Sequence, residues 1–356
     1  MTTSEKIRLV IAVILILVYL AKRYGLFAKM KERQQEKQKA EAKQRELAAR
    51  KDRRQQARLE QEAKKTQTAE ILRQGLGLFQ QKSVQAAGEE IWYLEGGAKP
   101  GAVPVLLLHG FAGDKENWTE VGKLLIAGGY HLIAPDLPGF GQNAKNPDKP
   151  YDVTSQAKRI RAFIQKTGLR GFHIVGHSVG GTIAAAVVYA ESQEIVSLTL
   201  IEPFGVHVPY PSELDKLLEN DRNPMVIANP AAYNNLLGFT FHQPPQMPAA
   251  LKRHRAEQAA ENRIFYLKMW KEIRDGDRAY LLDLLLPEIK VRTLVLQGAQ
   301  SQVIHPATPG IVQSMMRGAR PAVIESCGHF PMIEQPQETA RHLLEFLNPS
   351  PAAADE

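Results

Sequence analysis

A serine in the stretch Ile174-Val175-Gly176-His177-Ser178-Val179-Gly180-Gly181 has the surroundings of a nucleophile. The apolar run before it reads as a strand, a Gly-x-Ser-x-Gly turn follows, and the small residues Thr182-Ile183-Ala184-Ala185-Ala186 continue as a helix. Glycines at 176 and 180 let strand and helix approach closely around a strained serine. Its hydroxyl is lifted out, and the helix start supplies backbone N–H groups and dipole. A free hydroxyl is a weak nucleophile at neutral pH and needs a base; a positioned imidazole contributes about 10²–10⁴-fold. The chain holds ten histidines, so Ser178 alone does not say which one serves. No metal-ligand spacing, phosphate-cradling loop or nucleotide motif is present, and no metal or cofactor is expected.

The elements around the serine follow a regular alternation. Ile91-Trp92-Tyr93-Leu94 reads as a strand, Val103 to Leu108 as a buried strand, Trp118 to Ala127 as a helix and His131 to Ala134 as a strand. Val153 to Lys166 reads as a helix, and Phe172 to Val175 is the strand entering the turn. Val196 to Ile201, Val291 to Leu296 and Ala322 to Glu325 add strands, with helices at Thr308 to Met316 and Glu338 to Leu347. Such alternation implies a mostly parallel sheet with helices on both faces. From about 203 to 287 the pattern changes to Pro, Asn and aromatic residues without convincing strands. This predicts a helical insertion above the sheet's carboxyl edge, where open α/β sheets bind ligands. Asp136, in a glycine-rich turn, reads as a structural residue of that turn.

The net charge of +7 is unevenly spread. Residues 1–65 carry 18 Lys and Arg against 8 Asp and Glu, which leaves 27 against 30 in the remainder and a net of −3 there. The catalytic region is therefore mildly acidic and no nucleic-acid partner is expected. The single cysteine, Cys327, forbids an internal disulfide. Ile7 to Ala21 is apolar except for Arg8, and Leu20-Ala21-Lys22-Arg23 is a poor cleavage site. This predicts an uncleaved transmembrane signal anchor over residues 1–28, with Arg8, Lys22 and Arg23 snorkelling to extend its reach. Residues 29–70, rich in Lys, Arg, Glu, Gln and Ala, read as a charged helical stalk of up to about 60 Å at 1.5 Å per residue. The stalk's own protein partner, if it has one, is not legible. A docking segment at Ile71 to Phe79 opens the catalytic domain, residues 71–349, and 350–356 read as a disordered tail.

Several landmarks together carry a family resemblance: Leu108-His109-Gly110-Phe111-Ala112-Gly113, Pro135-Asp136-Leu137-Pro138-Gly139-Phe140-Gly141, the serine turn, Asn223-Pro224, Pro244-Pro245 and Cys327-Gly328-His329-Phe330-Pro331. Over roughly residues 75–349 the chain resembles the α/β-hydrolases, and among them bacterial lipases and esterases with a helical cap. The resemblance implies an α/β-hydrolase fold with His329 as the base, the backbone N–H groups of Phe111 and Val179 as the oxyanion hole, and structural roles for His109 and His177. It also exposes a departure. Where most relatives carry the histidine-orienting aspartate, in Gln297-Gly298-Ala299-Gln300-Ser301, this chain has Ser301. Some relatives place the acid after the strand that follows the serine helix, and here that place holds Glu202. Glu325 and Glu334 flank His329 in sequence but are expected to point elsewhere.

The resulting expectation is a serine carboxylic-ester hydrolase, lipase-like, working through an acyl-serine on an apolar acyl ester. A thioesterase or acyltransferase would use the same residues, and a degenerate membrane-tethered scaffold or binding protein is the alternative from another class. Lys and Arg dominate on the C-terminal side of the anchor, which leaves the catalytic domain in the cytoplasm by the positive-inside rule. A reporter fused after residue 356 is therefore expected to be cytoplasmic; digestion of that C-terminus by protease added to intact cells would overturn this orientation.

Overall fold

The computed structural model describes residues 2–274, 279–316 and 318–348. It divides into two units, Met1–Gln67 and Thr68–Glu356, each described on its own. The tail at 350–356 and the side chains of residues 71–76 in the docking segment lie outside what is described. The first unit is helical, part of a helix α1 that runs Thr3–Leu76. Its Thr3–Lys37 section is long and apolar enough to cross a membrane by length and composition. The side chains of Ile7, Leu9, Val10, Ile11 and Ile14 are exposed, an apolar belt suited to a hydrocarbon surrounding rather than to water.

The second unit is built on eight strands: β1 (Phe79–Ala86), β2 (Glu89–Gly96), β3 (Pro104–Leu108), β4 (His131–Pro135), β5 (Phe172–His177), β6 (Ile195–Ile201), β7 (Arg292–Gly298) and β8 (Arg320–Ile324). Their order is β1-β2-β4-β3-β5-β6-β7-β8. From β4 to β8 all neighbours are parallel, and β1 and β2 extend that edge as an antiparallel hairpin. The parallel strands are nearly continuous apolar runs because both faces are covered. Alternate residues of β3 show this: Leu106 and Leu108 join the core on one face, Val105 and Leu107 the core on the other, all fully buried. Burying each such side chain stabilises the fold by about 1.5–3 kcal/mol. Strand β1 has no sequence signal, because Phe-Gln-Gln-Lys-Ser-Val-Gln-Ala exposes most of its residues and pairs on one side only.

Helices α3 (Val153–Thr167) and α4 (Val179–Ala190) cover one face, while α2 (Thr119–Ala127) covers the other. Helix α3 starts on Asp152, whose carboxylate accepts the Ser155 N–H, and stops at Gly168, which adopts φ 69° where a side chain would be strained. Between β6 and β7 the described residues contain no strand. They form α5 (Glu213–Leu218), α6 (Tyr233–Thr240), α7 (Ala249–Glu261), α8 (Arg263–Arg274) and α9 (Leu281–Leu285), with residues 275–278 outside the description. Of the insertion's aromatic residues, Tyr266 and Trp270 pack edge-on against Phe111. They are thus shared between the insertion and the sheet's carboxyl edge. Helices α10 (Thr308–Met315), α11 (Pro331–Glu334) and α12 (Pro336–Leu347) complete the unit.

Two glycines fix how closely α4 may approach the sheet. A Cβ on Gly176 would stand 2.3 Å from the Gly180 carbonyl oxygen, and one on Gly180 would stand 2.3 Å from that of His109. Both obstacles are backbone, which cannot swing aside. Gly180→Ala is expected to lower the urea midpoint by the equivalent of about 1–3 kcal/mol, the cost of overpacking. Gly238, exposed in α6 with nothing near its would-be Cβ, is the control: alanine there is expected to raise stability by about 0.5–1 kcal/mol. Equal midpoints for the two variants would refute the close-approach argument.

Candidate active site

Ser178 stands between β5 and α4 at φ 53°, ψ −124°, a backbone conformation that strains any residue other than glycine. Three strand ends meet there. The Ser178 N–H donates to Ile201 O at the end of β6 (2.9 Å), the Phe204 N–H to Ser178 O (3.3 Å), and the Glu202 N–H to Leu296 O in β7 (2.8 Å). The turn after β3 lies against the serine, since a Cβ on Gly110 would stand 3.0 Å from Ser178 Cβ. The backbone N–H groups of Phe111 and Val179 donate to no acceptor among the described residues. The Val179 N–H also lies in the first turn of α4, where such groups are unpaired within the helix.

His329 and Glu202 meet in a dry site, with His329 Nδ1 3.0 Å from Glu202 Oε2 and the two residues 1% and 0% exposed. Glu202 holds an unusual backbone of its own, φ 50°, directly after β6. Its Oε1 accepts the Gly298 N–H (2.6 Å) and its Oε2 accepts the Ser301 hydroxyl (2.6 Å). Ser301 Oγ in turn accepts the Ile304 N–H at 3.3 Å. Thus Ser301 lies not on His329 but behind Glu202. Burial raises the Glu202 carboxyl, against the pull of the Ser301, Gly298 and Gln297 donors, and burial lowers the His329 imidazole. The resting imidazole is therefore neutral, the form a base requires. No hydrogen bond joins His329 to the Ser178 hydroxyl in this resting geometry among the described residues; such bonds often tighten only around a substrate.

The other histidines near the site are structural. Leu137 N–H donates to His109 Nε2 (2.9 Å), so His109 Nδ1 carries the proton and donates to Gly110 O (2.8 Å). His177 Nε2 donates to the backbone oxygen of His329 (2.7 Å). Asp136, fully buried, accepts the Lys115 ammonium (2.9 Å), the Lys115 N–H (2.9 Å) and the Gln142 N–H (2.9 Å). It ties the turn after β4 to the one after β3. Cys327 is buried within the His329 loop, and burial pushes its thiol up.

A cavity of about 270 Å³ is lined by Phe111, which carries one of the free N–H groups, and by Phe330, the residue after His329; Ser178, Val179 and His329 do not line it. Met225, Leu237, Phe241 and Met247 form an apolar wall. Its polar end holds Asp114 and Arg255 as an ion pair (3.3 Å) beside Glu116, whose carboxyl burial and Asp114 push up to about 8. Neither Arg255 nor the course of Glu334 toward the cap was legible in sequence, because each contact joins residues tens of positions apart.

Residues 103–336 match the model of a family described as alpha/beta hydrolase fold. Lipase 1 of Psychrobacter immobilis is 31% identical over 265 residues, 73% of this chain and 81% of that protein. Monoacylglycerol lipase abhd6-B of Xenopus laevis is 28% identical over 260 residues, 70% of this chain and 77% of its own length. Among solved structures, a membrane phospholipase A described as a novel bacterial virulence factor superposes with a TM-score of 0.77 at 36% identity, over 80% of this chain and 91% of that one. With the family model covering most of the chain, and a sheet and serine turn of the matching form, this protein belongs to the alpha/beta hydrolase fold family.

Proposed function

We propose that this chain cleaves carboxylic esters with an apolar acyl group through an acyl-Ser178 intermediate, held at a membrane by its N-terminal helix with the catalytic unit on the cytoplasmic side. Its kinship with lipases and a phospholipase makes it a lipase-like serine hydrolase of ester substrates. The finer reading rests on one observation: the Glu202 carboxylate 3.0 Å from His329 Nδ1, in a dry site beside a strained serine.

In this reading His329 takes the proton of Ser178 as Oγ bonds to the ester carbonyl carbon. The carbonyl oxygen becomes an oxyanion facing the Phe111 and Val179 N–H groups. Loss of one such donor typically costs on the order of 10²–10³ in rate. The imidazolium then forms against Glu202, where low dielectric strengthens the attraction. It passes the proton to the departing alcohol as the C–O bond breaks. Water repeats the sequence in reverse to free the acid and Ser178. Glu202 takes the place of the aspartate missing at Ser301. The apolar wall of the cavity suits the acyl chain, and the polar end suits the alcohol portion. Arginine and lysine on the C-terminal side of the anchor support the orientation.

A fluorophosphonate probe is expected to label the protein, and Ser178→Ala to abolish the labelling; an unlabelled wild type would instead favour a scaffold. Glu202→Gln keeps the shape but removes the capacity to hold a negative charge against the imidazolium, and is expected to lower kcat about 10²–10⁴-fold. Adding Ser301→Asp to Glu202→Gln is expected to recover part of that loss. A Glu202→Gln enzyme with near-wild-type turnover in an ester assay would end the case for Glu202.

A further inference from the structure

Glu334, at the end of α11, has no part in the chemistry just described, yet its carboxylate joins two distant segments. Oε1 accepts the Gly328 N–H at 2.8 Å, and Oε2 accepts the N–H groups of His242 (2.8 Å) and Gln243 (2.9 Å). Gly328 belongs to the loop that carries His329, and His242 and Gln243 follow α6 in the cap. The same segments meet twice more. The His329 N–H donates to Thr240 O (2.8 Å), and the rings of Phe241 and Phe330 stack with centroids 4.8 Å apart and planes 12° from parallel. Gly328 admits this contact only because it has no side chain, since a Cβ there would stand 2.6 Å from His242 N and 2.9 Å from Thr240 O.

A carboxylate is an acceptor only, and ionised acceptors make the stronger hydrogen bonds. Three backbone N–H groups from two segments share this one group, and removing it strands all three. Position within the loop then matters: His329 is held from outside by Thr240 O of the cap, by His177 through its carbonyl and by Glu202 through Nδ1. Cap departure removes the first of these together with the His242 and Gln243 bonds to Glu334, and leaves the Glu334 carboxylate on the Gly328 N–H alone.

We propose that Glu334 is a positioning residue that clasps cap residues Thr240–Gln243 to the His329 loop, so that the base is in register with Ser178 only while this part of the cap is seated. The proposal rests on the reading of Ser178 and His329 given above. It makes cap seating and arming of the base one event, although Glu334 touches neither substrate nor reacting atoms.

The test uses the full chain in detergent, a soluble p-nitrophenyl ester, and active sites counted with a fluorophosphonate. For Glu334→Gln the fraction of countable sites and KM are expected to stay as in the wild type, while kcat per counted site falls about 10–10²-fold, the scale of a small misplacement of a catalytic group. Glu334→Ala is expected to fall further. A merely structural role would lower the count and leave kcat per site within about twofold, and that outcome overturns the proposal. If the wild type is unlabelled, or Ser178→Ala still labelled, the reading of the nucleophile fails instead. Should the Glu334 variants not fold, hydrogen exchange on the wild type decides. The amides of His242, Gln243, Gly328 and His329 are expected to open at one shared rate, and exchange at 242–243 faster than at 328–329 by about tenfold or more would overturn the clasp.

Discussion

The absence of side chains at Gly176 and Gly180 is the constraint on which the site depends. With both Cβ positions blocked by backbone, α4 sits directly on the ends of β3 and β5, and the residue between them is forced to φ 53°. A strained serine is the cost of that approach. The return is geometric: the same contact presents the first N–H of α4 and the turn after β3 to one point in space. Overpacking at either glycine would move the helix, and with it the Val179 N–H, without touching the Ser178 side chain.

Around this point the protein buries charge in two places and treats each differently. Lys115 and Asp136 satisfy one another and their neighbours almost fully, so the pair fixes two turns in register. Breaking such a buried pair by removing one partner typically costs about 3–5 kcal/mol. Glu202 is also surrounded by donors, but one of them is an imidazole that can change its charge. The first arrangement is rigid by completeness; the second includes a partner whose charge is not fixed.

Much of this was legible in the sequence. The strand and helix alternation, the helical insertion and Ser178 follow from residue types at short spacing, where local geometry and hydrophobic pattern decide the outcome. The departure at Ser301 was visible, and so was the nearby carboxylate of Glu202; that Ser301 donates its hydroxyl to Glu202 was not, because the contact spans 99 residues. Strand β1 escaped because an edge strand buried only at its two end residues lacks a periodic signal. The expectation that Glu334 points elsewhere than His329 holds for its side chain, yet it missed that the carboxylate reaches the preceding residue, Gly328. Such bridges depend on how loops fold back over the sheet, and no short window of residues encodes that.

Cys327 has a practical consequence. It is the chain's single thiol, is fully buried within the His329 loop, and is held toward its protonated form by burial, with Glu334 and Glu202 adding to the effect. Thiol reagents attack the thiolate, so the native fold is nearly silent toward them. The natural chain is therefore already a background for site-directed labelling: a spectroscopic tag on one introduced surface cysteine would report from that place alone. Appearance of a second reactive thiol would mark the moment the histidine loop comes undone.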